Sequence, residues 1–416
     1  MKNKFKLFLL LTLVTLTLIS CIETSEIGDT DSIGKDQGQF WTSNKDLVTE
    51  TGSVANTCNS TFGVNQATGH IKAYPSDMEG PMAKHVRAVS GNVYGTSYDY
   101  TNSGEDGLDN AVITGTSINT YLNNSDGTIT DTSTGLMWME VDADTTMDWE
   151  NALSYCENLS YAGYDDWKLP DVKELQSLVD YSGNYPAIDS DFVCTEFSED
   201  NPYYYYWTSS NAYFSQHDPT NYYAWYVAFG FAVGENGEDS HGAGAVRFLP
   251  KSESNGASSE GSEGQTEASV RAVRIDDNYY NDATSKVVTT GQFNSYDDDG
   301  NQITPNIGEA FYGQDSDYST SPSFSFTDNG DGTITDNNTG LIWEKTPSDD
   351  HFSVEEAEAY CEELELGEKD DWRIPTAEEL FSISDFSTGW PYLDQIYFDF
   401  PASTELPEGQ SGGPQG

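Results

Sequence analysis

The string DDWKLPDVKEL at residues 165–175 returns 205 positions later as DDWRIPTAEEL at residues 370–380. The same offset relates Asp126 to Asp331, Trp138 to Trp343, Cys156 to Cys361, Pro170 to Pro375 and Asp180 to Asp385, with no insertion from about residue 124 to about residue 192. SDGTITDTSTGLMW pairs with GDGTITDNNTGLIW, and ALSYCENL with AEAYCEEL. A duplication at this length constrains the fold more than composition does, because both copies must solve the same packing problem.

Each copy has a readable local structure. Asp-Gly followed by Thr-Ile-Thr-Asp is hairpin chemistry, with the glycine in the left-handed region and alternating side chains behind it. Thr134-Gly135 and Thr339-Gly340 make a second turn before the strand ending at Trp138 or Trp343. A helix follows: Trp149, Ala152, Leu153, Cys156 and Leu159 recur at steps of three and four. Asp148 and Ser353 stand where its N-cap belongs. Asp-Asp-Trp-basic-aliphatic-Pro then reads as a short extended segment. A second helix, VKELQSLVD or AEELFSISD, opens with Asp171 or Thr376 and carries Glu174 or Glu379 three residues on, which is capping-box spacing.

The copies end differently. The first continues into YYYYWTSSNAY (203–213), AWYVAFGFAVG (224–234) and SVRAVR (269–274), whereas the second stops soon after YFDF (397–400). Counterparts of the missing half lie at the other end of the chain: FWTSNKD (40–46), TFGVNQATGHIKAYP (61–75) and HVRAVS (85–90). A fragment of about 50 residues buries too little surface to fold alone. The order therefore predicts a complete domain at 93–276, flanked by the C-terminal half (39–92) and the N-terminal half (277–402) of a split, circularly permuted one. Residues 1–21 read as a leader, 22–38 as an acidic tether and 403–416 as a flexible tail.

The leader sets the compartment. MKNKFK is basic, and LFLLLTLVTLTLI (7–19) is an apolar run too short for a comfortable membrane span. It ends in Leu18-Ile19-Ser20-Cys21, which resembles a bacterial lipobox and makes Cys21 the expected lipid attachment site. Several acyl chains anchor a protein stably where one does not. Ile22 follows in place of the aspartate of inner-membrane retention, so the expected location is the outer-membrane surface. The formal net charge of −52, from 18 Lys plus Arg against 70 Asp plus Glu, excludes nucleic acid as a partner, since that needs clustered cations.

DGTITD-x-x-TGL-x-W, a helix ending YCE, DDW-K/R-L/I-P-x-x-x-EL, YWTSS and a closing VR-x-VR together resemble the Lcl C-terminal domain family; GQFNSYDDDG…GEAFYGQDSDY (291–318) is similar to the lead-in of its tandem members. The resemblance implies an α+β, C-type-lectin-like fold, with two helices on small twisted antiparallel sheets, in a surface-associated protein. It implies a reaction much less strongly, because fold does not give function. Relatives commonly pair the helix cysteine with a cysteine in the closing strand, a position held here by Ala272 and Ala88. Once Cys21 is acylated, Cys58, Cys156, Cys194 and Cys361 remain and allow three pairings. The domain reading selects Cys156–Cys194 and Cys58–Cys361.

Candidate chemistry is thin. Calcium is the one candidate cofactor: DDDG (Asp297, Asp298, Asp299) with Asp315 and Asp317 supplies oxygens, although the full spacing of a calcium loop is missing. The Asp-Gly repeats at 126–131 and 328–336 read as hairpins instead. Tyr205, Trp207, Tyr223 and Trp225 are candidates to stack on sugar rings, or else are strand residues of the core. The five histidines, at 70, 85, 217, 241 and 351, form no metal or triad motif, and no catalytic residue is expected. The expected role is non-catalytic adhesion or recognition of an extracellular ligand, carbohydrate among them. The alternatives are a structural envelope protein and an enzyme related to formylglycine-generating oxidases.

Overall fold

The structure is a computed structural model and describes residues 38–46, 60–75, 83–92, 121–181, 186–195, 205–212, 220–230, 232, 241–252, 265–318, 321–387, 389 and 391–401. Cys21, Cys58, the leader, residues 22–37 of the tether and the tail lie outside them.

The architecture is α+β and dominated by small antiparallel sheets. A six-stranded sheet has the order β1 (Gln39–Asp46), β2 (Ser60–Asn65), β3 (His70–Pro75), β10 (Val246–Pro250), β9 (Tyr223–Ala228), β8 (Tyr205–Ala212). A four-stranded sheet has the order β11 (Val273–Ile275), β7 (Leu136–Met139), β6 (Thr128–Asp131), β5 (Tyr121–Asn123). A five-stranded sheet runs β14 (Phe326–Asp328), β15 (Thr333–Asp336), β16 (Ile342–Glu344), β4 (Val89–Ser90), β17 (Trp372–Arg373). The hairpin of β12 (Ser295–Tyr296) and β13 (Gln302–Ile303) stands apart. Four α-helices occur among the described residues: α1 (Trp149–Glu157), α2 (Val172–Gln176), α3 (Val354–Glu363) and α4 (Ala377–Ser382).

Local chemistry places these elements. Asp131 accepts from Ser133 N at 2.9 Å and Thr134 Oγ1 at 2.8 Å, folding the turn between β6 and β7. Asp336 does the same with Asn338 N at 2.9 Å and Thr339 Oγ1 at 2.8 Å. Gly135 takes φ +76°, and a Cβ there would meet the Tyr280 backbone at 2.3 Å, so no other residue fits this turn. Asp148 caps α1, while Asp171, Ser353 and Thr376 close capping boxes with Glu174, Glu356 and Glu379. Helix α2 is shorter than its apolar spacing suggests: Ser177 ends it, and its hydroxyl donates back to Glu174 O at 2.7 Å.

The contacts that build residues 121–276 recur between the two ends of the chain. Val273 faces Trp138 in β11–β7, and Val89 faces Trp343 in β4–β16. The buried Arg271 guanidinium donates to Met139 O, Glu140 O and Val193 O; Arg87 donates to Glu344 O, Lys345 O and Asp399 O. Trp207 Nε1 donates to Met147 O at 2.8 Å, and Trp41 Nε1 to Phe352 O at 2.7 Å. One apolar cluster holds Trp149, Ala152, Cys156, Trp167, Leu169, Trp207, Val270 and Ala272. Another holds Val354, Ala357, Cys361, Trp372, Ile374, Trp41, Val86 and Ala88 in the matching places. The second cluster exists only because Trp41, Val86 and Ala88 lie against residues 342–374.

The two sets meet edge to edge. β3 pairs with β10 through Ile71 and Val246, the partners of Val64 in β2 and Val227 in β9. Equivalent residues thus face each other across an approximate two-fold axis, an isologous arrangement within one chain. A core shared by both sets backs this seam, with Trp225 edge-on to Phe248, Phe386 and Tyr392. Helices α2 and α4 pack beside it, and Lys173 Nζ donates to Ser382 O at 2.7 Å and Thr289 O at 3.0 Å.

Candidate functional site

Among the described residues nine Lys and Arg are buried: Lys84, Arg87, Lys168, Lys173, Arg247, Lys251, Arg271, Arg274 and Arg373. Arg87, Lys168, Lys173, Lys251, Arg271, Arg274 and Arg373 serve as internal donors. Lys168 pairs with Glu174 at 2.5 Å, and its counterpart Arg373 with Glu379 at 2.6 Å. Arg274 grips Asp166 with two bonds at 2.7 and 2.9 Å, and Ser90 donates to Asp371 at 2.7 Å; in both copies the DD pair clamps the closing strand. Asp131, Asp142, Asp171, Glu174, Asp276, Asp315, Asp336, Glu344 and Glu379 are buried as well, so the exposed surface keeps the acidic balance of the composition.

Against that background one cleft at the seam is uncharged. Asn211 and Asn221 line it from the β8–β10 side, Gln292, Asn294 and Tyr296 from the stretch before β13, and Phe386 with Tyr392 from beyond α4. None of its ten lining residues is acidic or basic. Its floor is held by Lys251, whose Nζ donates to Asn211 Oδ1 at 2.6 Å, Asn221 O at 2.7 Å and Asp297 O at 3.1 Å and lies 4.3 Å over the Trp149 ring. Burial pushes this ammonium well below its usual range, opposed by Asp297 and Asp298. Asn211 Nδ2 donates to Gln314 Oε1 at 2.9 Å, and Asn211 exchanges backbone-to-amide bonds with Gln292 at 2.9 and 2.7 Å. The floor is therefore preorganised. Phe293, 65 % exposed, stands at the mouth.

The residues singled out from sequence do not make this site. Tyr205, Trp207, Tyr223 and Trp225 are at most 3 % exposed, which corrects their assignment as sugar-stacking residues: both faces of each ring are taken up by the core. Tyr205 stacks on Tyr226, and Trp207 is fixed to Met147 O. The Cys156–Cys194 bridge is also corrected, since both thiols are free. Cys156 packs in the cluster of Ala272, whereas Cys194 lies 3.7 Å from the Arg271 guanidinium. Neighbouring residues of an extended segment point to opposite faces, so the two sulfurs sit on opposite sides of it. Cys361 is free as well, and its proposed partner Cys58 lies outside the described residues.

The acidic candidates are dispersed. Asp297 accepts from Asn301 N at 2.8 Å in the turn between β12 and β13. Asp315 is buried and accepts from Ser210 Oγ at 2.6 Å and Thr290 Oγ1 at 2.8 Å; burial raises its carboxyl. Asp317 accepts from Gly313 N and Gln314 N at 2.9 and 3.1 Å. These carboxylates fold the segment rather than converge with Asp298 and Asp299. Among the described residues no three His, Cys, Asp or Glu side chains share a metal position. Lys251, Gln292 and Gln314 were not singled out from sequence. The only trace of them was the polar lead-in GQFNSYDDDG…GQD itself, which packs on the first copy rather than on the one it precedes.

Two segments, residues 127–249 and 332–407, match the family model of the Lcl C-terminal domain. Both are Lcl C-terminal domain segments. Neither match reaches residues 38–92, so the place of that stretch beside the second Lcl segment comes from strand pairing and burial. The cleft lies where the two Lcl segments meet. No curated protein and no solved structure matches the chain.

Proposed function

We propose that the chain is a lipid-anchored recognition protein of the cell surface, built from two C-type-lectin-like units, one of them assembled from residues 39–92 and 277–402. It acts without catalysis and takes an extracellular, uncharged, hydroxyl-rich ligand, a carbohydrate, in the cleft at the seam. The observation that carries this reading is the uncharged lining of that cleft in a chain of net charge −52. Amide groups and aromatic rings on a rigid floor bind sugars through directed hydrogen bonds and ring faces. The chain's net charge of −52 repels glycosaminoglycans and other polyanions. Lipid on Cys21 would hold the units at the outer-membrane surface. The test is a glycan array probed with the full chain in detergent, in calcium and in EDTA, beside Phe293→Ala and Asn294→Ala. Binding of neutral glycans, weakened in both variants, is expected. Binding confined to sulfated or other anionic glycans, or none at all, would refute the reading. The EDTA arm decides whether calcium takes part.

A further inference from the structure

The second copy carries two histidines where the first carries none. His85 and His351 occupy the places of Ser269 and Thr146, as the shared backbone bonds show: Trp41 N donates to His85 O, and Trp207 N to Ser269 O, both at 3.0 Å. The fold thus tolerates a small hydroxyl residue at both positions, and packing alone does not call for imidazoles. The two rings lie with centroids 4.2 Å apart. His85 is 1 % exposed. Its Nδ1 lies 3.0 Å from the backbone oxygen of Asp350, so Nδ1 carries the proton. That leaves a lone pair on Nε2, which has no hydrogen-bond partner among the described residues. An imidazole whose Nδ1–H is held by a carbonyl and whose Nε2 is bare has the tautomer and orientation of a metal ligand.

We propose that His85 and His351 form a two-imidazole site for a divalent transition-metal ion of the copper and zinc class. Among the described residues no third His, Cys, Asp or Glu completes the set, so water or a ligand fills the remaining positions. The site joins residues from opposite ends of the chain, and metal bound there tethers residues 83–92 to the turn before α3. Imidazole ligation favours Cu²⁺ over Zn²⁺ over the hard ions, which separates this site from any calcium site.

The untagged full chain in detergent is titrated with Cu²⁺ and with Zn²⁺ by calorimetry, and the Cu²⁺ form is examined by electron paramagnetic resonance. His351→Thr and His85→Ser import the residues that the first copy holds at the same places, and near-ultraviolet circular dichroism confirms that they fold. One equivalent of Cu²⁺ with nitrogen hyperfine structure is expected, weakened at least ~10-fold in either variant. Folded variants that bind Cu²⁺ as tightly as the parent, or a bound ion lacking imidazole nitrogen, would overturn the proposal.

Discussion

Trp41→Ala tests whether the chain's first strand belongs to its last helices. Trp41 is fully buried in a cluster whose other members are Val86, Ala88 and residues of 354–374, and its Nε1 donates to Phe352 O at 2.7 Å. Truncating a buried tryptophan costs ~3–5 kcal/mol in lost transfer energy and cavity. The lost hydrogen bond adds ~1 kcal/mol. For a unit of this size that corresponds to a melting temperature lower by roughly 10 °C or more. The assay is amide hydrogen exchange read by mass spectrometry. Peptides covering β16 and α3, some 300 residues away, should lose protection together with β1 and β2, while those covering β7 and α1 keep theirs. Trp207→Ala should do the reverse. If Trp41→Ala exposes β1 and β2 but leaves α3 protected as in the parent, the two ends do not form one cooperative unit.

Three further outcomes follow from the packing. Ala88→Cys should form a disulfide with Cys361, which shares its cluster, seen as a non-reduced link between tryptic peptides from the two chain ends. Cys156 and Cys361, buried and with thiols raised well above their usual range, should resist iodoacetamide in the native protein. Both should react after denaturation without reductant; failure to react would mean that they are bridged. Lys173 is held down to about 7 by burial at the seam, against the pull of Asp171, Asp385, Asp336 and Asp315. Its folded pKa lies below the unfolded one near 10.5, so burying its charge is penalised fully below about pH 7 and the penalty is relieved as pH rises toward 10.5. Between pH 7 and 9 the parent should therefore gain ~2 kcal/mol relative to Lys173→Met in urea titrations. An unchanged difference would show that Lys173 is not buried as an isolated cation.

Much of each copy was legible from short-range pattern. The caps Asp148, Asp171, Ser353 and Thr376 stand where the spacing placed them, and so do the Asp131 and Asp336 turns. These features depend on residues no more than four apart. What failed was each inference about the direction a residue faces. Tyr205, Trp207, Tyr223 and Trp225 look alike as core and as ligand platform, because period-two patterning marks a face without saying what covers it. Cys194 looked like a partner for Cys156 until the strand between them put one on the side of Arg271 and the other on the side of Ala272.

The sequence by itself determined the repeat, its turns and helix starts, and the matching of FWTS and VRAV at one end of the chain to YWTSS and VRAV in its middle. Tertiary structure decided the rest. It paired β3 with β10 through Ile71 and Val246, turned nine cations inward, folded the 291–318 lead-in over the first copy, and set His85 against His351. The physical reason is range. Caps and turns are satisfied by neighbours a few bonds away, whereas the partner of an edge strand or a buried charge is chosen among the whole chain by how much water its burial removes.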